Sequence, residues 1–457
     1  MSLTTVILAA GQGKRMHSDM PKMLHRLAGV PLLEHVVNAS FKVNSATPPL
    51  VIYGHAGEKV QQALEHLNVT WVPQTEQLGT GHALLQALPH IPDNDRVLIL
   101  YGDVPLILPE TLKNFIAATP ADTLGMLTAF FPDPTGFGRI IRDENGKVIQ
   151  VTEEKDADHA ARAINEINSG IYLAPAKFLK KWLPLLTNKN AQQEYYLTDI
   201  IRLANQENIP IHAMQPASYE EVLGINDRVQ LAVLERSFQR RNAEKLLRQG
   251  VTLLDPERFD VRGELTVGTD TTIDVNVIIE GRVIIGNHCI IGPNTILRNT
   301  MIGDHVEIRA NSVIDGAEIA SHCTVGPFAR LRPGTILLPK SHIGNFVEIK
   351  NSEIGDGSKV NHLSYIGDSE IGKHVNIGAG AITCNYDGVN KHRTVIGDNA
   401  FIGSNASLIA PITIGAGATI GAGSVVNRNA PEGKLTIARA LQKTISNWQR
   451  PGTKKES

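Results

Sequence analysis

The most regular pattern in the chain is an aliphatic residue at every sixth position of its C-terminal part. Between residues 396 and 420 the aliphatic positions are Ile396, Ile402, Leu408, Ile414 and Ile420. The positions four places later are mostly small, as at Ala400, Ala406, Ala418 and Ser424. A period of six fits neither a helix nor an alternating strand and is typical of a parallel β-helix built from hexapeptides. The pattern therefore predicts a solenoid whose aliphatic side chains point into each coil.

A different pattern fills the first 227 residues, where short apolar runs alternate with amphipathic stretches. The runs at 5–8, 50–53 and 97–100 are each followed by a glycine-containing turn and then by helix-like sequence. This alternation predicts an α/β domain with a Rossmann-like mixed sheet, mostly parallel and covered by helices. Ligands of such sheets bind at the carboxyl ends of the strands, so the residues after these runs are candidates for a site.

Between these two patterns lies a polar segment that predicts a single helix. It carries Leu231, Leu234 and Phe238 on one face, many Arg and Glu residues, and a terminating Gly250. We therefore expect a first domain at 1–227, a linker helix at 228–250, and a β-helix domain with a C-terminal tail at 251–457.

Composition narrows the classes of function. The 457 residues are 42% hydrophobic, and the formal net charge of −2 argues against binding of nucleic acid. Cys289, Cys323 and Cys384 are too few and too scattered for a disulfide framework or a zinc cluster. The N-terminus lacks the basic region of a signal peptide, and no apolar run reaches membrane-spanning length. These features predict a cytoplasmic protein without a membrane partner.

The strongest local motif is a glycine loop with basic residues, LAAGQGKRM at 8–16, followed by PK at 21–22. Gly11 and Gly13 allow a tight turn whose backbone N–H groups can bind phosphate oxygens. A dinucleotide fingerprint would need a third glycine at Met16, and a P-loop would need Ser or Thr at Arg15. The remaining interpretation is a turn that presents Arg15 and Lys22 to a triphosphate.

With Pro-Lys at this spacing, the first domain resembles the sugar-1-phosphate nucleotidyltransferases. Further stretches carry the resemblance: QLGTGHA at 77–83, YGDVP at 101–105, GFGR at 136–139, NSG at 168–170 and GIN at 224–226. One departure is Lys14, which stands where the family commonly has Thr, and its role stays open.

The resemblance implies that this domain takes UTP and a sugar phosphate, with Arg15 and Lys22 as catalytic residues and Asp103 and Asn226 as ligands of Mg²⁺. The implied nucleotide- and sugar-binding residues are Leu8, Ala9, Ala10, Gly11, Lys22, Gln74, Gly79, Thr80, Tyr101, Gly102, Asp103, Gly138, Glu153, Asn168 and Asn226. In this chemistry a sugar-phosphate oxygen attacks the α-phosphorus and pyrophosphate leaves. The protein must then align two polyanions and neutralise their charge.

A second candidate site lies on the predicted solenoid, where the hexapeptide period breaks at residues 383–393. Insertions of this kind form loops on one face, often the binding face. Cations and polar residues occur within a few coils of one another, at Arg332, Lys350, His362, Tyr365 and Asn376. Small residues recur at coil-like intervals at Ala379, Ser404 and Ala422, which predicts a groove for a long, slender ligand.

This half resembles the left-handed β-helix acyltransferases, through GPFARLRPG at 326–334, GNFVE at 344–348 and NIGAG at 376–380. The whole chain resembles a bifunctional bacterial family, the N-acetylglucosamine-1-phosphate uridyltransferase/glucosamine-1-phosphate N-acetyltransferases. By that resemblance His362 is the general base that takes a proton from the glucosamine amine, which suits a neutral imidazole with a pKa of about 6.5.

The remaining roles also follow from the resemblance. Glucosamine-1-phosphate would be bound by Arg332, Lys350, Tyr365 and Asn376. Acetyl-CoA would be bound by Ala379, Asn385, Tyr386, Ser404, Ala422 and Arg439. The N-acetylglucosamine-1-phosphate so formed would react with UTP to give UDP-N-acetylglucosamine, a precursor of the bacterial cell wall and outer lipid. Members of the family are trimers, so a homotrimer is expected.

Two alternatives remain open at the level of sequence. The chain could be a monofunctional sugar-1-phosphate nucleotidyltransferase whose solenoid only assembles subunits. It could also be a non-catalytic scaffold or sensor of nucleotide sugars, in which case the residues of the glycine loop would match the family by coincidence.

Overall fold

The computed structural model describes residues 2–54, 56–448 and 450–452. These residues form two compact units, one ending at Gln239 and the other beginning at Arg240. Of the helices within the described ranges, none combines the length and apolar character that crossing a membrane requires.

The first unit alternates strands and helices, as the sequence predicts. Its strands are β1 (Leu3–Ala9), β2 (Arg26–Leu27), β3 (Val30–Pro31), β4 (Leu50–Tyr53), β5 (Thr70–Pro73), β6 (Arg96–Tyr101), β7 (Leu124–Phe130), β8 (Arg139–Arg142), β9 (Val148–Thr152), β10 (Glu166–Pro175) and β11 (Ile211–Met214). Its helices are α1 (Leu32–Val43), α2 (Gly57–Ala63), α3 (Thr80–Ala87), α4 (Pro109–Ala118), α5 (His159–Arg162), α6 (Ala176–Trp182) and α7 (Ile200–Gln206).

The main sheet of this unit is mixed, in the order β11-β7-β10-β6-β1-β4-β5. β10 runs antiparallel to its neighbours β6 and β7, whereas β1 is parallel to both β4 and β6. The predicted strands at 5–8, 50–53 and 97–100 are therefore confirmed as three adjacent strands. Leu8 pairs with Ile52 on one side and Tyr101 on the other, so the carboxyl ends of β1, β4 and β6 lie at one edge of the sheet.

Most of the segment expected to be a linker forms one helix, α8 (Arg228–Arg248). The predicted apolar face is present in its first half: Leu234 is buried in a cluster with Leu27 and Ile225, and Leu231 and Phe238 pack against that cluster. The boundary between the two units falls inside this helix.

The second unit consists of short strands wound into coils. They are β12 (Thr252–Leu253), β13 (Phe259–Val267), β14 (Thr272–Ile273), β15 (Val277–Ile285), β16 (Ile290–Ile291), β17 (Ile296–Arg298), β18 (Met301–Ile302), β19 (Glu307–Ile308), β20 (Val313–Asp315), β21 (Ala317–Ile319), β22 (Thr324–Val325), β23 (Arg330–Leu331), β24 (Thr335–Leu337), β25 (His342–Asn345), β26 (Glu348–Lys350), β27 (Glu353–Ile354), β28 (Lys359–His362), β29 (Tyr365–Gly367), β30 (Ser369–Ile371), β31 (Asn376–Ile377), β32 (Ile382–Cys384), β33 (Thr394–Ile396), β34 (Phe401–Ile402), β35 (Ser407–Ile409), β36 (Ile412–Ile414), β37 (Thr419–Ile420), β38 (Val425–Val426) and β39 (Leu435–Thr436).

Each strand of this unit pairs in parallel with the equivalent strand of the next coil. Along one ladder Ile273, Ile291, Ile308, Val325 and Ile343 align in turn. The aliphatic residues of the hexapeptide pattern and the small residues four places after them are buried inside the coils. The predicted parallel β-helix is therefore confirmed, with its core inside the stack of coils.

The corners between strands also form ladders, because residues in the left-handed conformation recur there. His288, His305 and His322 stack at one corner, with centroids 4.9 Å apart from ring to ring. Phe328 and Phe346 stack at another corner, with ring centroids 5.2 Å apart. Coil-to-coil repetition thus extends from the core to the surface.

We expect Ile402→Ala to destabilise the β-helix unit by about 2–5 kcal/mol, because it removes a core side chain and leaves a cavity. The side chain of Ile402 is fully buried, whereas the adjacent Phe401 is 49% exposed. Phe401→Ala is the matched control and should change stability by no more than about 0.5 kcal/mol. Scanning calorimetry of the full chain measures both, and equal losses from the two variants would contradict the assignment of Ile402 to the core.

Two candidate active sites

A cavity of about 500 Å³ lies at the carboxyl ends of β1 and β6. The predicted site residues that line it are Leu8, Ala10, Gly11, Lys22, Gln74, Gly79, Thr80, Tyr101, Asp103 and Asn226. It is also lined by Gln12, Lys14, Met23, Gln77, Ala83 and Glu194. The position agrees with the rule that α/β sheets bind ligands where their strands end.

The glycine loop that follows β1 forms one wall of this cavity. Gly13 has a φ of +63° and precedes a short 3₁₀ helix at Lys14–Met16. A β-carbon at Gly13 would lie only 2.6 Å from the Cβ of Lys22, so glycine is needed for the loop to pack over this lysine. At Gly11, by contrast, the position of a β-carbon is open, which leaves the backbone accessible to a ligand.

Lys22, Asp103 and Asn226 are brought together from three distant parts of the chain. The Lys22 ammonium donates hydrogen bonds to Oδ2 of Asp103 and, over 2.8 Å, to Oδ1 of Asn226. The backbone N–H of Ile225 donates to the carbonyl oxygen of Asp103 over 2.9 Å. The N–H of Asn226 donates to Oε1 of Gln230 over 2.7 Å. These bonds join the end of β6 to the segment that leads into α8.

The same arrangement fits a divalent cation. The oxygens of Asp103 and Asn226 already converge on one positively charged atom, the ammonium nitrogen of Lys22. Carboxylate and amide oxygens are hard ligands, and Mg²⁺ typically takes one or two carboxylates and completes its shell with phosphates and water. Across the described residues, no group of three or more His, Cys, Asp or Glu side chains could hold a metal ion. A cation here would therefore take its other ligands from the substrate or water.

Another part of the cavity lining is built by a second glycine turn. Gly79 has a φ of +113° and precedes α3, which begins at Thr80. A β-carbon there would lie 2.7 Å from the carbonyl oxygen of Tyr195, so the turn requires glycine. Gln74 is buried, and its Nε2 donates to the carbonyl oxygen of Gly79 over 3.1 Å. Its side chain is thus fixed at the cavity wall.

Not every predicted residue lines this cavity. Gly102 packs behind it, where a β-carbon would lie 3.2 Å from the Cβ of Ala9. Arg15 is exposed on the 3₁₀ helix, and Lys14 is the residue of that helix that lines the cavity. Glu194 lines it as well, and sequence reasoning missed it because no motif marks its segment.

The predicted sugar residues form a separate cluster close by. The N–H of Asn168 donates to the carbonyl oxygen of Gly138 over 2.8 Å. A β-carbon at Gly138 would lie 3.3 Å from Oε2 of Glu153. Burial raises the pKa of Tyr101, and the charge of Glu153 adds to this effect. Tyr101, which also lines the nucleotide cavity, therefore lies close to Glu153 of the sugar cluster.

Glu153 is itself held in an unfavourable environment. Burial raises the pKa of its carboxyl group, a hydrogen bond from Thr198 over 3.1 Å opposes this, and Asp156 and Asp199 raise it further. Because the folded pKa exceeds the unfolded value of about 4.3, ionising Glu153 costs stability as pH rises through the folded pKa. The cost is absent below the unfolded pKa and grows as the pH rises above it.

We therefore expect Glu153→Gln to raise the Tm of the first unit at pH 7, with the gain shrinking as the pH falls below the ordinary pKa of Glu, about 4.3. Calorimetry at pH 7 and at lower pH measures this. Glu144→Gln, at an exposed carboxylate, is the control and should leave the Tm unchanged. A lower Tm for Glu153→Gln at pH 7 would contradict the inferred burial cost.

In the second unit, four of the predicted acyl-transfer residues fall into one column across successive coils, together with an asparagine that was not predicted. The column consists of Asn345, His362, Ala379, Ser404 and Ala422. Backbone hydrogen bonds of 2.8–3.3 Å join each of the first four members to the next coil. In each bond, the residue that follows one member donates its N–H to the carbonyl oxygen of the member one coil earlier. Nη1 of Arg439 donates to the carbonyl oxygen of Ala422 over 2.7 Å, so the predicted coenzyme residue Arg439 lies at the far end. We name this set the histidine column.

His362 is exposed, and its ring is oriented by its neighbour in the column. Nδ1 of His362 lies 2.9 Å from Oδ1 of Asn345. With the amide oxygen as acceptor, Nδ1 carries the proton and Nε2 keeps a lone pair. Asn376 lies on the next coil, level with Lys359 of the coil that carries His362. Sequence reasoning missed Asn345, although it lies inside the GNFVE match at 344–348.

Three cations lie close to one another on the coils around the one that carries this histidine. Lys350 Nζ lies 3.5 Å from Oδ2 of Asp368, and Arg332 Nη1 lies 2.9 Å from Oε1 of Glu348. The neighbouring Lys350 ammonium lowers the pKa of Lys391, and Arg332 acts in the same direction. Lys391 comes from the predicted loop at 383–393 and was not among the predicted ligands. Clustered cations of this kind are suited to a phosphate.

The start of that loop packs beside the same cluster. Asn385 is buried, and its Nδ2 donates to Oδ2 of Asp368. The hydroxyl of Tyr365 and the amide of Asn385 both adjoin Gly367, where a β-carbon would meet them at 2.4 and 2.8 Å. Tyr386, in contrast, is exposed. The break in the hexapeptide period thus forms a loop on one face, as predicted.

Comparisons with known proteins match separate family models to the two parts of the chain. Residues 5–169 match the MobA-like NTP transferase domain. Residues 393–428 match the bacterial transferase hexapeptide (six repeats), and residues 261–341 match the GMPPB C-terminal domain. A nucleotidyl transferase from Methanothermobacter thermautotroptrophicus is similar in structure, with a TM-score of 0.40 and 19% identity over 53% of this chain and 99% of that chain.

The matches to the family models indicate the class of each domain. The chain carries a nucleotidyltransferase domain followed by a hexapeptide-repeat domain, and the second domain is a left-handed β-helix. A nucleotidyltransferase of this type takes a nucleoside triphosphate as substrate.

Proposed function

We propose that the chain is a bifunctional enzyme that makes UDP-N-acetylglucosamine. The β-helix domain transfers acetyl from acetyl-CoA to glucosamine-1-phosphate, and the first domain transfers uridylyl from UTP to the N-acetylglucosamine-1-phosphate so formed. The observation that carries this proposal is the histidine column, which places His362, three small-residue or hydroxyl positions and Arg439 along one line. The line joins a candidate base, the amide that orients it and a cation, which are groups that acetyl transfer from a coenzyme can use.

In acetyl transfer, the amine nitrogen of glucosamine attacks the thioester carbonyl while Nε2 of His362 takes a proton from that amine. The carbon–sulfur bond breaks, and coenzyme A leaves as the thiol. Asn345 keeps the imidazole in the tautomer that this step needs. Lys350 and Arg332, joined by Lys391, bind the sugar phosphate and place the amine at the histidine. The small side chains of the column leave room for the coenzyme arm, with Arg439 at its end.

In uridylyl transfer, the glycine loop and Lys22 hold the triphosphate, while Gln74, Gly79 and Thr80 hold the uridine. Glu153 and Asn168 hold the sugar hydroxyls. Asp103 and Asn226 bind Mg²⁺, which supplies neutralising charge at the phosphates when bound. Arg15, which is exposed on the 3₁₀ helix after the glycine loop, contacts the triphosphate, and Lys14 adds a cation to the cavity wall. The protein contributes alignment and charge, and little acid–base chemistry is needed.

The active assembly is a cytoplasmic homotrimer. Apolar side chains support this part of the proposal, because Phe328, Phe346 and Leu363 are exposed at the corner next to the histidine column. A second copy that covers this corner would bury them and would enclose the acetyl-transfer site.

The test is incubation of the full chain with glucosamine-1-phosphate, acetyl-CoA, UTP and Mg²⁺, followed by mass analysis of the sugar products. UDP-N-acetylglucosamine is the expected product. If N-acetylglucosamine-1-phosphate had to be supplied for any nucleotide sugar to form, the β-helix would be structural and the chain a monofunctional nucleotidyltransferase. If neither sugar phosphate reacted, the enzymatic proposal would be wrong.

A further inference from the structure

Lys22 has unusual surroundings for a lysine. Its side chain is buried, with 8% of the residue exposed, and no other lysine among the described residues is buried. Its ammonium binds the two oxygens that the proposed function assigns to Mg²⁺, one from Asp103 and one from Asn226. Lysine and metal ion therefore use the same atoms.

We propose that the Lys22 ammonium and the divalent cation compete for these oxygens, so that binding of the cation releases Lys22 into the nucleotide cavity. The inference rests on the metal role given to Asp103 and Asn226 in the proposed function. It adds a coupling to that role: Lys22 is delivered to the triphosphate when the cation has taken its place.

Charge makes the two occupants exclusive. One carboxylate and one neutral amide cannot balance an ammonium and a divalent cation at once, and like charges within a few ångströms repel strongly in a half-buried site. The amide of Asn226 also offers one oxygen, which the ammonium holds over 2.8 Å. A cation that takes this oxygen must displace the ammonium from it.

The displaced ammonium can move into open space beside the glycine loop. The packing of Gly13 against the Cβ of Lys22 fixes the base of the side chain, and the rest is a flexible chain of methylenes. Lys22 lines both the nucleotide cavity and an adjoining cleft of about 550 Å³, which is bordered by Gly11, Gly13 and Lys14. Rotation of its outer bonds moves the charge from Asp103 toward the glycine loop, where phosphate oxygens bind.

The first test is Mn²⁺ binding to the full chain without nucleotide, followed by electron paramagnetic resonance. We expect Lys22→Met to bind Mn²⁺ at least about tenfold more tightly than the unchanged protein, since the competing charge is gone. Lys22→Arg keeps a cation and should stay within about threefold of the unchanged protein. Lys113→Met is the matched control; it removes an exposed ammonium on α4, outside the cavity, and its affinity should change by less than about twofold.

Asp103→Ala separates failure of this inference from failure of the proposed metal site. If Asp103→Ala abolishes Mn²⁺ binding while Lys22→Met binds no more tightly than the unchanged protein, the competition is overturned and the metal site stands. If Asp103→Ala binds Mn²⁺ as well as the unchanged protein, the metal site itself is wrong, and the competition is overturned with it.

A second measurement uses the unchanged protein and so avoids any effect of substitution on folding. Lysines are acylated briefly with an N-hydroxysuccinimide ester, with and without saturating Mn²⁺, and the extent of labelling is read by mass spectrometry. Labelling of Lys22 should rise several-fold with Mn²⁺, relative to that of the exposed Lys14, because the ammonium leaves its buried partners. Equal labelling of Lys22 in the two conditions would overturn the proposal.

Discussion

Replacement of His362 by alanine is expected to lower the rate of acetyl transfer by about 10²–10⁴-fold, the usual contribution of a positioned general base. Uridylyl transfer should be unchanged, because its proposed residues all belong to the first unit. Separate assays measure the two activities: release of free thiol from acetyl-CoA, and release of pyrophosphate from UTP with N-acetylglucosamine-1-phosphate.

His305→Ala is the matched control for this result. His305 lies in the same unit, in the stack with His288 and His322, and has no part in the histidine column. Its replacement should leave both activities intact. Equal acetyl transfer by His362→Ala and the unchanged protein would refute the assignment of the base.

Asp103→Ala is expected to reduce kcat/KM for uridylyl transfer by about 10²–10³-fold, because one ligand of the neutralising cation is lost where charge develops in the transition state. Acetyl transfer should continue at its normal rate. Pyrophosphate release across a Mg²⁺ titration measures the effect, and excess Mg²⁺ should restore only part of the activity.

A control for Asp103→Ala is Asp93→Ala, which removes an exposed carboxylate that pairs with Lys180 at the surface. This variant should retain full activity. Normal uridylyl transfer by Asp103→Ala at low Mg²⁺ would refute the assignment of Asp103 as a ligand of the metal ion.

The fold could be predicted largely from the sequence because its main signals are local. Each hexapeptide places one aliphatic residue inside the coil, so the positions of Ile402 and Ile414 follow from counting along the chain. The three central strands of the first unit were also predictable, since each is a short apolar run before a glycine turn. Their order in the sheet is a tertiary property that these runs do not encode.

The candidate sites were predictable only where a motif carries them. The glycine loop and the strand-end Asp103 could be found, but Glu194 reaches the nucleotide cavity from a segment without any motif. Lys391 approaches Lys350 because the inserted loop folds back beside an earlier coil. The partner of His362 is Asn345, which lies one coil earlier and becomes a neighbour only once the register is known. In each case the missing information is a contact between distant residues.

The histidine column has a consequence for how such a groove can evolve. Three coil steps separate His362 from Ala422, which is roughly 14 Å at a strand spacing of about 4.8 Å. Positions along the column therefore differ by whole coil spacings. For the proposed acetyl transfer, duplicating or deleting one coil between His362 and Ala422 would change the length of the coenzyme groove by one coil spacing. The residues at either end of the groove would stay the same.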